Sequence, residues 1–155
     1  MTIELKQGDP APEFDLADGE GKRWNLSDLR GKRVILYFYP TDDTSGCTAQ
    51  SCDFRDNYTA FKEANVEILG VSPQGAASHQ RFTAKYSLNF PLLIDADRAV
   101  ASAYGAVKDG TEGGSGPPKI KRSTFVIAAD GTIEQAIYGV KVPGHVDSLK
   151  ASVAS

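Results

Sequence analysis

Arg33-Val34-Ile35-Leu36-Tyr37-Phe38-Tyr39-Pro40-Thr41-Asp42-Asp43-Thr44-Ser45-Gly46-Cys47-Thr48-Ala49-Gln50-Ser51-Cys52 is the stretch that decides the fold. Its first seven residues form an unbroken β-branched and aromatic run, the pattern of a strand buried on both faces. Pro40 ends that strand, and a polar turn occupies 41–46. A helical pattern starts near Cys47 and runs to about Glu63, with Phe54, Tyr58 and Phe61 spaced at four and three. A strand therefore delivers a cysteine to the opening of a helix, at the strand's carboxyl end, where open α/β sheets place their sites.

The same periodicities continue outward. Val66 to Val71 and Phe90 to Ile94 read as strands, and Gly75 to Tyr86 and Arg98 to Tyr104 as helices. Thr124 to Ala128 and Thr132 to Tyr138 flank Ala129-Asp130-Gly131, a hairpin signal. His145 to Val153 reads as a last helix. Upstream, Phe14 to Leu16 and Lys22 to Leu26 flank Asp18-Gly19-Glu20-Gly21 and suggest an N-terminal β-hairpin. The order is hairpin, β-α-β-α-β-α, hairpin and helix. It predicts an α/β sandwich, a mixed central β-sheet flanked by helices on both faces. There is no internal repeat, and Asp109 to Pro118, rich in glycine, reads as a surface loop. The 155 residues fit one domain, 1–155.

Composition narrows the function. Hydrophobic residues make up 41% and charged residues 24%, enough apolar material for a core. With 17 basic and 20 acidic residues, the net charge of −3 gives no surplus to attract nucleic acid or an anionic membrane. No apolar run approaches the roughly 20 residues that span a bilayer, and the first residues contain no secretory signal pattern. A cytoplasmic protein is the expectation. In that compartment two neighbouring thiols are poor candidates for a structural staple and better ones for redox chemistry.

A thiolate attacks and a thiol does not, so a nucleophilic Cys47 needs its negative form stabilised. The helix N-terminus supplies free N–H groups and a positive dipole end. Thr44 and Ser45 stand where hydroxyls cap a helix, and the Thr44 hydroxyl could also bond the thiolate. Gly46 permits close approach of backbone and substrate. Arg122, at the start of a strand, is the cation that would help if the fold brings it to the sulfur. Cys47 and Cys52 stand as C-x4-C. On an intact helix that spacing gives about 7.5 Å of rise and about 140° of rotation, so the Cα atoms lie about 8–9 Å apart. A disulfide requires less than roughly 7 Å. Bonding between the two therefore requires the first turns of the helix to unwind, which makes them a region of low local stability.

Pro40, Thr44 and Cys47 match P-x-x-x-T-x-x-C, and the chain resembles the peroxiredoxins. Cys52, five residues on, is the spacing of their bacterioferritin co-migratory protein (peroxiredoxin Q) subgroup. Lys121-Arg122-Ser123-Thr124-Phe125-Val126-Ile127 is similar to the family's arginine-bearing strand. Val34 to Pro40, Leu69-Gly70-Val71-Ser72 and Asn89-Phe90-Pro91-Leu92-Leu93 extend the likeness, which covers the chain from about Gly8 to its end. The resemblance implies a thioredoxin-like fold and reduction of hydrogen peroxide or organic hydroperoxides without a metal or organic cofactor. It implies Cys47 as the peroxidatic and Cys52 as the resolving residue, joined as an intramolecular disulfide. Pro40 would shield the site, Thr44 and Arg122 would orient the peroxide, and Gln50 sits where the family often carries Glu or Gln. Thioredoxin or a similar dithiol protein would be the reductant. With the resolving thiol in the same helix no partner subunit is needed, so a monomer is expected. Ser45 departs from the subgroup's usual proline.

Plainer readings stand beside these. Cys52 would serve equally as a small buried hydrophobe, Thr44 as an N-cap alone, Arg122 as a surface residue, Pro40 as a strand stop and Gln50 as a solvated helix residue. His79 and His145 lack any motif and read as ordinary surface or satisfied polar residues. Two cysteines with no histidine at ligand spacing argue against zinc. Tyr37 and Tyr39 read as core or pocket lining, Trp24 as packing, and Asp42 and Asp43 as turn acids bonded locally. A protein thiol–disulfide oxidoreductase and a redox sensor remain alternatives; the first favours C-x-x-C, and excess reductant would distinguish the second by turnover.

Overall fold

The computed structural model describes residues 4–42, 44–107 and 119–153; the glycine-rich loop and Asp43 lie outside them. Strands β1 (Asp15–Ala17) and β2 (Arg23–Asn25) pair antiparallel as the N-terminal hairpin. A 3₁₀ turn at Ser27–Leu29 leads into β3 (Arg33–Phe38), then α1 (Ser45–Glu63), β4 (Val66–Ser72) and α2 (Ala76–Tyr86). The chain continues with β5 (Leu92–Ile94), α3 (Ala99–Ala103), β6 (Ser123–Ile127), β7 (Ile133–Tyr138) and α4 (His145–Val153). The sheet order is β5-β4-β3-β6-β7. Its β5, β4 and β3 are parallel, and β6 and β7 each run antiparallel to the preceding neighbour.

Alternation along the central strand splits the core in two. Val34, Leu36 and Phe38 face one side, with Phe125, Ile127, Ala101 and Tyr104. Ile35, Tyr37 and Tyr39 face the other, against Phe54 and Phe61 of α1, Phe82 of α2, and Val146 and Leu149 of α4. Helices thus cover both faces, the mixed thioredoxin-like arrangement expected. Trp24 packs against the first cluster and donates its indole N–H to Asp18 at 2.9 Å.

Most boundaries differ from the sequence reading by a residue or two, and three of the differences have a plain physical reason or consequence. Helix α1 starts at Ser45 rather than near Cys47, so the cysteine falls inside the first turn. The third strand begins after Pro91, which has no N–H for a ladder. Arg98 is not helical: it sits in the left-handed region at φ 60°, and Asp97 and Asp95 accept the first amide hydrogens of α3. The Asp130-Gly131 turn forms as read, with Gly131 at φ +90° and the Asp130 carboxylate accepting from the Thr132 amide and hydroxyl.

Phe54 has no exposed surface and lies 4.7 Å, centroid to centroid, from the stacked Tyr37 ring. Phe54→Ala should lower stability by about 3–5 kcal/mol, read as the shift in a urea unfolding midpoint.

Candidate active site

The register of β3 with β6 builds the site. Because the two strands are antiparallel, Phe38 pairs with Ser123, which sets Arg122 beside the carboxyl end of β3. That end is where α1 begins. The guanidinium bridges two side chains of the first helical turns. Its Nη2 donates to Cys47 Sγ at 3.1 Å, and its Nη1 donates to Gln50 Oε1 at 2.7 Å. It also crosses Gly46, where an added Cβ would lie 3.1 Å from Nη2. The glycine therefore makes room for the cation.

Cys47 and Gln50 have no exposed surface, and Cys47 is packed with Tyr37, Tyr39 and Phe54. Cys47 is the third residue of α1, and its side chain joins the core between that helix and the sheet. Gln50 Nε2 is a buried donor with no partner among the described residues, an arrangement that carries a desolvation penalty of about 1–3 kcal/mol.

Thr44 holds the N-cap position with extended backbone, but its side chain does not cap: Oγ1 donates backward to the Thr41 carbonyl at 3.2 Å. The capping expectation for Thr44 is thus met by position and not by hydroxyl. Thr44 and Ser45 are exposed, and Pro40 and Gly46 half-buried, so these residues line the outer side of the cysteine. Cys52 lies one and a half turns on, half-buried, with its thiol free, as is that of Cys47. Burial pushes the Cys52 thiol up; Arg55 opposes this and Asp56 and Asp53 add to it. A raised value keeps the proton on sulfur at neutral pH.

The sequence reading missed a second polar network. Asp42 is buried and accepts from the Tyr39 hydroxyl at 2.6 Å, Ser78 Oγ at 2.7 Å and His79 Nδ1 at 2.7 Å. His79 Nε2 meets the Leu93 carbonyl at 2.9 Å. Each ring nitrogen of His79 thus faces an oxygen that accepts hydrogen bonds, one of a carboxylate and one of a carbonyl. Asp42 is therefore no local turn acid; it ties the loop before Cys47 to α2 and β5. Burial would raise its carboxyl, but hydrogen bonds from His79 and Tyr39, the His79 charge and Ser78 together hold it below the usual value. His145, also buried, contacts Thr124 Oγ1 at 2.9 Å, and burial followed by the Arg122 charge lowers its proton affinity. Both histidines are satisfied, and neither lies on the surface. No sequence signal joins positions 42 and 79; only the fold does.

Among the described residues no group of His, Cys, Asp and Glu could hold a metal ion. No helix of the described residues is long and apolar enough to cross a membrane.

The AhpC/TSA family model matches residues 7–136. Peroxiredoxin Bcp of Escherichia coli strain K12 is 42% identical over 92% of this chain and 92% of its own; that of Bacillus subtilis is 41% identical over 94% and 92%. The chain belongs to the AhpC/TSA family, in its Bcp/PrxQ peroxiredoxin branch. Among solved structures, a cysteine-to-serine mutant of Xylella fastidiosa PrxQ superposes with a TM-score of 0.90 at 31% identity, covering 98% of this chain and 97% of that one. The Xanthomonas campestris bacterioferritin comigratory protein, described for its alkyl peroxide reduction activity, gives 0.87 at 33% identity over 99% and 98%. The protein is accordingly an enzyme, a thiol peroxidase.

The carboxyl of Asp42 sits lower folded than unfolded, so its contribution is present above the unfolded value of about 4 and is lost as pH falls through the folded value. Asp42→Asn should cost about 1–3 kcal/mol at pH 7. It should also flatten the acid side of a Tm-versus-pH profile; an unchanged acid slope would count against the network.

Proposed function

We propose that Cys47 is the sulfur that attacks peroxide and Cys52 the one that resolves it. The observation that carries this is the 3.1 Å contact from the Arg122 guanidinium to Cys47 Sγ. A cation and an N–H donor on the sulfur favour its thiolate, as does the first turn of α1, whose leading amides have no intrahelical partner. A positioned guanidinium can also stabilise charge on the oxygen that leaves as the O–O bond breaks. Gln50 fixes the guanidinium by accepting from Nη1. Gly46 lets the guanidinium lie close, Thr44 offers a hydroxyl at the outer edge, and Pro40 screens the loop side. Peroxide enters along Arg122, the half-exposed polar neighbour of a buried thiol.

The cycle follows from sulfur chemistry. The Cys47 thiolate takes one peroxide oxygen, becomes a sulfenic acid and releases water or an alcohol. The start of α1 unwinds, and the Cys52 thiol condenses with the sulfenic acid to give a disulfide and water. A dithiol protein of the thioredoxin type returns two electrons and restores both thiols. Sulfur carries the electrons, so no cofactor is required. Hydrogen peroxide and alkyl hydroperoxides are the substrates proposed, the cytoplasm the compartment, and a monomer the working state, since both sulfurs lie on one helix. A thiol–disulfide oxidoreductase role fits less well, because the second cysteine stands too far along the helix to bond without unwinding.

Cys47→Ser should abolish peroxide turnover. Cys52→Ser should consume roughly one equivalent and accumulate a sulfenic acid that dimedone traps. Retained turnover in Cys47→Ser would overturn the assignment. Arg122→Met should lower kcat/KM by about 10²–10³ in a stopped-flow peroxide assay; it also strips the buried Gln50 Oε1 of its donor, so the unfolding midpoint should fall by the equivalent of about 1–3 kcal/mol while the protein stays folded under assay conditions.

A further inference from the structure

The chemistry at Cys47 and Cys52 needs the first turns of α1 to leave the sheet, and the contacts that hold them there are few. The buried residues of α1 before Phe54 are Cys47, Gln50 and Ser51. Cys47 and Gln50 are both held by Arg122. Ser51 is held by Tyr37, whose hydroxyl lies 2.8 Å from Ser51 Oγ. Beyond this point aromatic packing takes over, through Phe54 and Phe61.

The two attachments behave differently when the segment unwinds. Arg122 is only half-buried, so its freed donors can turn to water. Tyr37 has no exposed surface and its ring is clamped between Tyr39 and Phe54, 5.5 and 4.7 Å away. A cross-strand glycine completes the seat. Tyr37 pairs with Gly70 on β4, and a Cβ there would stand 2.8 Å from the Tyr37 hydroxyl. The phenol lies over the space a side chain would fill. It cannot follow Ser51 outward, and burial raises its proton affinity so that it remains a neutral donor. Departure of Ser51 leaves a buried hydroxyl unpaired, which disfavours departure.

We infer that the Tyr37–Ser51 hydrogen bond is the latch on the resolving helix, setting how often Cys52 can reach oxidised Cys47. Tyr37 and Ser51 are positioning residues, and the inference rests on the proposed roles of the two cysteines. The latch governs a partition. Cys47 sulfenic acid either condenses with the Cys52 thiol, giving a disulfide and water, or meets a second peroxide, giving a sulfinic acid and an alcohol or water. A tighter latch slows the first branch and leaves more protein for the second.

Two measurements on Tyr37→Phe and Ser51→Ala test this. In the reduced protein, hydrogen–deuterium exchange of amides 47–52 should quicken by about fivefold, the factor of one buried hydrogen bond, with little change in β3, β4 or the rest of α1. In protein cycled with dithiothreitol and hydrogen peroxide, the peroxide concentration that converts half of Cys47 to sulfinic acid, read by mass spectrometry, should rise by a similar factor. In Ser51→Ala the rate of first oxidation of Cys47 should change less than about twofold, since Ser51 does not touch the sulfur's donor. Unchanged exchange at 47–52 in both variants, or a uniform rise along the whole chain, overturns the latch. Exchange needs no peroxide, so a wild-type protein that fails to form the Cys47–Cys52 disulfide would refute the proposed cycle while the exchange result still judges the hydrogen bond.

Discussion

One guanidinium organises this molecule's chemistry. Arg122 donates to the Cys47 sulfur and to the Gln50 side chain, and it crosses Gly46 where any larger residue would crowd it. Its position follows from topology. A strand that feeds a helix must end where the helix begins, and an antiparallel neighbour must start at that same end. An arginine just before β6 therefore arrives beside a cysteine just after β3, although 75 positions separate them in the chain. The parallel side of the sheet would not place a strand start there; β4 enters at the opposite end of β3.

The burial of Cys47 makes that cation more effective. Charge–dipole and charge–charge attraction weaken in water and strengthen in a protein interior. A thiolate among Tyr37, Tyr39 and Phe54 with no donor would be strongly disfavoured; with Arg122 and the helix start beside it, the same apolar wall concentrates their effect. The Asp42–His79 pair performs the matching mechanical task on the other side. It fixes the loop that carries Pro40 and Thr44 by joining it to α2 and, through the Leu93 carbonyl, to β5. The cysteine is thus held from β6 on one flank while its approach loop is held from α2 on the other.

Much of this was legible from residues alone. The β-branched run 33–39, its proline stop and the four-three spacing of Phe54, Tyr58 and Phe61 express local rules, and they specify the strand, the break and the helix. The C-x4-C spacing carries its own geometric conclusion. Arg122 became a site residue through likeness to a family, because no local rule brings position 122 to position 47. His79, Asp42 and the Tyr37–Ser51 contact were illegible for the same reason. A buried polar pair is matched by three-dimensional complementarity, and its members look like any surface histidine, turn acid or strand tyrosine. The helix starts at Ser45, two residues before the point the sequence pattern marks, because its first turn carries no apolar residue ahead of Cys47 for a periodicity to register.

The division of α1 into two regimes is what would let a rigid helix serve the proposed cycle, in which its first turns open. From Phe54 onward the helix is fixed by aromatic burial, where each ring hides about 150–250 Å² and losing one costs several kcal/mol. Before Phe54 the buried positions are a cysteine, a glutamine and a serine, fixed by individual hydrogen bonds whose net worth is about 1 kcal/mol each, more for those to a charge. In the proposed cycle the unwinding would start at the amino end and halt near Phe54, because the next turn would have to withdraw a ring from between Tyr37 and Phe90. Cys52 lies just on the weak side of that boundary. Had the second cysteine followed Phe54, reaching Cys47 would require opening the core.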